Sequence, residues 1–491
     1  MLSYVLVSAL PLATSVLAHV CRGARLVALV IALVVLTAAL IAVGNGFPDV
    51  HASEIRLSFD PLSRLTYAAF VLLVAVGSLY GWLAREDERL LAVGLAMTGF
   101  LGVAFSLSKD LLASTLVFEL AALCGALGLG LRVWIRAEQG ASRHTAAMRY
   151  TSFMVVAGMC LVGTFALAAR FEVTREPAVQ QVAFALLSCS VMIFSATFPI
   201  SFWLPKKLER GGLMLLALTV STLGIGGVWL FLQTYWSYPW LMMDQRLPHA
   251  LMAIAAVGTI APALMALTQR RLDHLIAYSV SSNAGAVVVG IASGTTVGIT
   301  GGLFTLLSYL LATFLLLMCL NIAGSTDREP DDARAFGGTA QTHLPASAEP
   351  ARSSTPDNGD GEESSTIKGV HYSFRRTPAA ILALCVGSMT LAGVPPTGGF
   401  VGRWLIYEAS AVQSGYVALS LIVSSALVFL ACARFLASVM SNPPSTGDRR
   451  ADPLGPAAIV VLLAILSLAV GVYPTPILQV ISEAISGMPH L

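Results

Sequence analysis

Apolar residues along this chain come in blocks of roughly 20, the length a helix needs to cross a hydrocarbon core about 30 Å thick. The blocks lie at 2–18, 25–44, 64–84, 90–107, 111–131, 150–169, 180–204, 212–235, 249–268, 275–293, 296–322, 378–412, 415–440 and 456–485. This pattern predicts an all-α, polytopic membrane protein with about fourteen transmembrane helices. One stretch breaks the rhythm: residues 325–376, containing DREPDDARAFGG and PASAEPARSSTPDNGDGEESS, are rich in Ser, Pro, Asp, Glu and Gly. Such a composition buries too little apolar surface to fold, so a disordered cytoplasmic insertion between the eleventh and twelfth helices is expected, as a linker or as a docking segment. The opening block lacks the Lys or Arg of a signal-peptide n-region, because Arg22 and Arg25 follow it. It reads as a retained helix.

Positive charge collects on the cytoplasmic side of a membrane protein. Arg22 and Arg25, Arg85 and Arg89, Arg132 to Arg149, Lys206 to Arg210, Arg270 and Arg271, the insertion, and Arg449 and Arg450 all fall in odd-numbered connections. Together these hold 21 of the 29 Lys and Arg residues. The even-numbered connections hold Arg56, Arg64, Lys109, Arg170, Arg175 and Arg246, while Arg403 and Arg434 lie within helices. The asymmetry predicts an integral inner (plasma) membrane protein with both termini on the outer face.

Composition narrows the function classes. Of 491 residues, 56% are hydrophobic and 11% charged, against about 25% charged in a soluble domain. A net charge of +2 gives no basic field for nucleic acid. The seven cysteines (Cys21, Cys124, Cys160, Cys189, Cys319, Cys385 and Cys432) are scattered through apolar runs without CxxC spacing. They read as small hydrophobes, not as disulfides or metal ligands, so no cofactor is expected and any redox carrier belongs to another chain. His274 and His371 are dispersed and read as solvated, and Gly125, Gly128 and Gly130 read as helix-packing residues.

Two crossings carry helix breakers where lipid tolerates none unless the backbone lines a polar cavity. The seventh contains Pro199 and Pro205; the twelfth contains Gly393-Val394-Pro395-Pro396-Thr397-Gly398-Gly399. They lie five crossings apart, as expected of two five-helix units of opposite orientation, here 90–235 and 249–440. N-terminal helices within 1–107 precede them, and a C-terminal helix within 456–491 follows. Simple proline kinks are the alternative.

Charged groups at mid-membrane are costly and therefore functional candidates. Glu119 lies midway through LLASTLVFELAALCGALGLGL, Arg403 follows the double-proline break, Glu408 stands five residues later, and Arg434 either sits inside the thirteenth helix or snorkels to an interface. Ser195, Thr197, Tyr278, Ser279, Asn283 and Tyr309 are polar groups suited either to holding water or to helix contact.

The chain resembles the antiporter-like membrane subunits shared by respiratory complex I, membrane-bound hydrogenases and Mrp-type cation/proton antiporters. The likeness rests on LSFDPLSRL at 57–65, Glu119 in VFEL, FSATFPISFWLP at 194–205, LIAYSVSSNAG at 275–285 and LAGVPPTGGFVGRWLI at 391–406. It implies fourteen helices, two inverted five-helix repeats, and a mid-membrane line of Lys, Glu and His that moves protons through water. Partners implied are other membrane subunits, the bilayer, protons and, as a second ion, Na⁺.

On this resemblance Glu119 stands at the family's glutamate and Arg403 at a charged position usually held by Lys. The seventh-helix lysine falls on Phe194, the eighth-helix position on Ile225 or Thr219, and the eleventh-helix lysine on Leu316. A relay lysine releases its proton to water when buried, whereas Arg keeps its proton throughout. The functions that stay open at this point are a proton-translocating or cation/proton antiporter-like subunit of a redox-driven complex, with Glu119, Arg403, Glu408, Ser195, Thr197 and Tyr278 along its path, a non-pumping membrane platform with a degenerate relay, or an Mrp-type antiporter subunit. None gives the chain a redox site of its own.

Overall fold

A computed structural model of the chain describes residues 2–20, 25–45, 47, 50–52, 55–86, 89–135, 141–201, 204, 212–325, 378–441 and 454–486. Pro205, the basic residues 206–210, Cys21, His371 and all but the first residue of the expected insertion lie outside these.

Helices follow the apolar blocks closely: α1 (Leu2–His19), α2 (Arg25–Asn45), α3 (Pro61–Leu83), α4 (Arg89–Ser106), α5 (Leu111–Ile135), α6 (Ala141–Thr174) and α7 (Pro177–Phe194). The second half adds α8 (Leu213–Ser237), α9 (Arg246–Thr268), α10 (Leu272–Ala292), α11 (Thr296–Ser325), α12 (Pro378–Ala392), α13 (Gly398–Gln413), α14 (Gly415–Ser441), α15 (Leu454–Val472) and α16 (Thr475–Ser486). Among the described residues, 13 helices are long and apolar enough to cross a membrane. The fourteenth crossing is assembled from α12 and α13, each too short to span alone. The chain is thus a multi-span membrane protein.

Three local departures from the sequence reading have simple causes. The last apolar block does not run through to 485. It stops as a span at Val472, because Pro474 cannot continue the hydrogen-bond ladder, and short α16 follows. The seventh block ends its α-helix at Phe194, earlier than the expected limit of 204. A small antiparallel hairpin, β1 (Val50–Ala52) and β2 (Ile55–Leu57), precedes α3. It leads into the LSFDPLSRL segment, which acts as a latch. Ser58 N–H bonds the Ser106 carbonyl at 3.0 Å, Ser63 Oγ accepts from Trp229 Nε1 at 2.9 Å, and Asp60 accepts from Gln233 Nε2 at 3.1 Å.

The outside of the bundle is apolar, as a lipid-facing surface requires: Leu26, Val30 and Ile41 on α2 and Leu419, Ile422 and Phe429 on α14 are exposed. The inside is set by α8, buried from Leu213 to Thr234, with α10 and α11 nearly so. Around this core two sets of crossings repeat one neighbour pattern. Helix α4 packs on α5, α5 on α6 and α6 on α7; likewise α9 packs on α10, α10 on α11 and α11 on α12. The fifth crossing of each set returns to the first, α8 against α4 and α14 against α9. Five is an odd number, so the second unit enters the membrane from the side opposite the first.

The two breaks share one backbone geometry. At the end of α7, Ala196 takes φ +57°, and at the end of α12, Gly393 takes φ +69°. Ala196 N–H bonds the Ile193 carbonyl at 3.1 Å and Thr197 N–H the Met192 carbonyl at 2.9 Å; Gly393 N–H bonds Thr390 at 3.2 Å and Val394 N–H bonds Met389 at 3.0 Å. Both are helix ends closed by a left-handed residue whose successor reaches back to the last turn. Each then turns again, Ile200 N–H to the Thr197 carbonyl and Thr397 N–H to the Val394 carbonyl. The Phe198-Pro199 and Pro395-Pro396 bonds are cis in the corresponding places.

A Cβ at Gly399, the second residue of α13, would collide with the Thr390 carbonyl of α12. Gly399→Ala should therefore lower the stability of the membrane domain by about 1–3 kcal/mol. Gly415→Ala, where nothing lies within 4 Å of the added atom, should leave it unchanged. Thermal inactivation of the detergent-solubilised protein checks both, and equal behaviour of the two variants would refute the packing argument.

Candidate functional site

Helix α10 stands between the two breaks. Residues two apart on an α-helix point about 200° from each other, so Ser281 and Asn283 face opposite ways. Ser281 Oγ donates to the Ala196 carbonyl at the first break, 2.8 Å. Asn283 Nδ2 donates to the Leu391 carbonyl at the second, 2.9 Å. Between them Ser282 Oγ donates to the Thr259 carbonyl of α9 at 2.9 Å. Interrupted helices leave carbonyls that lipid cannot satisfy; one helix supplies donors to both.

Arg403, on α13, is 2% exposed. Its Nη2 donates to Asn283 Oδ1 and to the Leu391 carbonyl, each at 2.9 Å, and its Nη1 donates to the Ser425 hydroxyl of α14. Tyr407 and Ser425 share a further hydrogen bond of 2.5 Å. Arg403 Nε is buried without a partner, and among the described residues no carboxylate pairs with this guanidinium. The charge is therefore solvated by neutral dipoles. Gly393 makes the geometry possible: a Cβ on its left-handed backbone would lie 2.6 Å from Arg403 Cδ.

Glu119 on α5 is half-buried, and its Oε1 is fully buried with no hydrogen-bond partner. The carboxyl lies against Gly158 of α6, where a Cβ would overlap it. Gly158 thus makes the space that the acid occupies. One residue earlier, Phe118 turns inward, packs edge-on to Phe194 at 5.0 Å, and fills the place a Cβ on Gly226 would take.

The other candidates divide. Ser195 and Thr197 sit buried within the first break; their hydroxyls are 3.1 Å apart and Ser195 also bonds the Val191 carbonyl. Tyr278 lies on a cavity beside that break. Pro199, Pro395 and Pro396 occupy the breaks themselves, while Pro205 falls outside the described residues. Glu408 is exposed on the outer face of α13, one turn from exposed Trp404, and so stands apart from the buried cluster around Arg403. Arg434 reaches out of α14 to the Gln269 carbonyl at 2.5 Å, an end-of-helix contact. Phe194, Ile225 and Leu316 are packed in the apolar core.

Sequence reasoning missed three contributors. Gly158 gave no signal, since a glycine in an apolar run is ordinary. Ser425 is one hydroxyl among several in α14. His274, read as solvated, is half-buried, and its Nε2 is buried without a partner.

Residues 108–348 match a family described as NADH:quinone oxidoreductase/Mrp antiporter, TM. Over this segment, just under half of its length, the chain is similar to the antiporter-like membrane subunits. It is 27% identical to NADH-quinone oxidoreductase subunit N 2 of Syntrophobacter fumaroxidans over 487 residues, covering 93% of this chain and 91% of the relative. In fold it is similar to a chain of the Mrp complex from Dietzia sp. DQ12-45-1b, with TM-score 0.74, 17% identity and coverage of 99% and 98%. A chain of respiratory complex I from Thermus thermophilus gives TM-score 0.70, 19% identity and coverage of 99% and 98%. The likeness in fold thus extends beyond the matched segment, which holds the first break, to the second.

Asn283 both accepts from Arg403 and donates to the second break, so Asn283→Leu leaves a buried charge and a carbonyl short of partners. It should cost about 1–3 kcal/mol, more than Ser282→Ala. Chemical denaturation of the purified subunit complex would show the difference; a cost no greater than that of Ser282→Ala would count against Asn283 as the tie.

Proposed function

We propose that this chain is a proton-translocating membrane subunit of a multi-subunit redox-driven complex of the NADH:quinone oxidoreductase type. The observation that carries the reading is the Glu119 carboxyl, placed within the membrane domain with a buried, unpartnered oxygen and a glycine opposite that keeps its space open. A carboxyl can carry a proton and hand it on; a guanidinium cannot release one. Glu119 is therefore the switchable acid, and Arg403 a fixed positive charge that sets the field at the second break. Ser195, Thr197 and Tyr278 line the first break, where water takes the place of relay lysines. Other membrane subunits are the partners, and they hold the redox carriers. Protons are the transported ion, with Na⁺ as the exchange ion of an antiporter-like cycle. The Arg- and Lys-rich connections support placing both termini on the outer face of the inner membrane.

A second reading, a non-pumping platform, is favoured by one specific observation. Phe194, Ile225 and Leu316, at the positions of the relay lysines, are 1%, 0% and 0% exposed. They fill their sites with packed hydrocarbon that neither holds nor passes a proton.

Glu119→Gln separates the two readings. In vesicles containing the assembled complex it should abolish proton movement while assembly persists. Gly158→Ala, which keeps the acid but takes its space, should reduce the rate at least several-fold. Unchanged rates in Glu119→Gln would remove the carboxyl from the mechanism, and absent movement in the wild type would establish the platform.

A further inference from the structure

A partly enclosed cavity of about 70 Å³ lies beside the first break, lined by Phe198, Ser201, His274, Tyr278 and Ser281 together with Met265. A water needs roughly 10–15 Å³ of such volume and two or more polar partners, so the cavity has room for several. Its polar lining is ordered. His274, Tyr278 and Ser281 stand at i, i+4 and i+7 on α10, which puts them on one face of the helix. That stripe climbs about 10 Å, from the start of the helix to the hydroxyl that bonds the Ala196 carbonyl.

At its foot the imidazole is poised. His274 Nδ1 lies 3.3 Å from Gln269 Oε1, and its backbone N–H is fixed by Asp273 Oδ1 at 3.0 Å. With the proton on Nδ1 donated to the glutamine oxygen, Nε2 presents a lone pair. This is the atom that is buried and unpartnered in a residue lining the cavity. The charges around it are Asp273, held by Arg271 through bonds of 3.1 and 2.8 Å, the exposed Arg270, and Arg434 from α14, tied to the Gln269 carbonyl. Asp273 is already paired, so His274 is the group left to exchange protons with cavity water.

We propose that His274 is the proton-accepting group of a water-filled access route that runs between α7, α9 and α10 from the Arg270-Arg271 side to the break at Pro199. This rests on the transport reading above and adds its access residue. Nε2 is closed to water in this structure; once the ring turns toward the cavity, it takes a proton from water at the mouth, forming imidazolium. It returns that proton to cavity water near Tyr278 and Ser201, so the histidine is unchanged over the cycle.

Two experiments on the assembled complex in membranes test it. With the seven native cysteines replaced by Ser, His274→Cys and Tyr278→Cys should react with a small cationic methanethiosulfonate added from the Arg270-Arg271 side. Leu264→Cys, on the apolar outer face of α9, should not. No labelling of either cavity position would overturn the route. In vesicles, His274→Gln should slow proton movement at least about tenfold, and added imidazole should restore movement to His274→Ala. Wild-type rates in His274→Gln would overturn the proposal even if Glu119→Gln remains inactive. Should His274→Gln not assemble, labelling of Tyr278→Cys decides, reaction supporting the route and its absence refuting it. Failure of the transport reading shows itself separately, as wild-type vesicles that move no protons.

Discussion

A helix interrupted inside hydrocarbon exposes carbonyls and amides that lipid cannot bond, and the membrane domain is organised around satisfying them. Each break first closes on itself, with a left-handed residue returning two N–H groups to the preceding turn. Further donors come from α10, joined at the second break by Arg403. Ser281 and Asn283 reach opposite breaks because helical geometry turns them about 200° apart. Three consecutive residues thus tie both interruptions and the neighbouring α9.

The two charged candidates are held in physically different ways. Arg403 is enclosed by an amide, a carbonyl and a hydroxyl, so among the described residues its charge is solvated by neutral groups and has no carboxylate counter-ion. Glu119 is half-buried, and its Oε1 is buried without a hydrogen-bond partner in the space that Gly158 of α6 leaves open. One group is immobilised and permanently charged. The other is unpinned, and its preferred state depends on whether water reaches it. An asymmetric pair of this kind suits a module in which one half sets the field and the other carries the proton.

Phe118 against Phe194, and the residues around Ile225 and Leu316, close the core with hydrocarbon. Polar access is displaced accordingly toward the α10 face, where His274, Tyr278 and Ser281 are in register on one stripe. A lone histidine at the start of an apolar run gives no hint of this in one dimension. Its neighbours in space, Ser201 and Phe198, lie more than 70 residues earlier.

Much of the architecture was legible in the chain because a bilayer imposes a one-dimensional rule. Each crossing must be a helix of about 20 apolar residues, so α1 to α11, α14 and α15 follow directly from where such residues cluster. Proline and glycine clusters in the seventh and twelfth blocks marked the breaks for the same reason, and the rarity of charge in apolar runs singled out Glu119 and Arg403. Tertiary structure alone decided who meets whom. Gly158 opposes Glu119, Asn283 and Ser425 hold Arg403, Glu408 turns outward while Arg403 turns in, and His274 faces a cavity. Those outcomes depend on helix rotation and on side-chain distances of a few ångströms between segments far apart in the chain. Hydropathy cannot encode them, because it fixes which stretches enter the membrane and leaves their mutual orientation to packing.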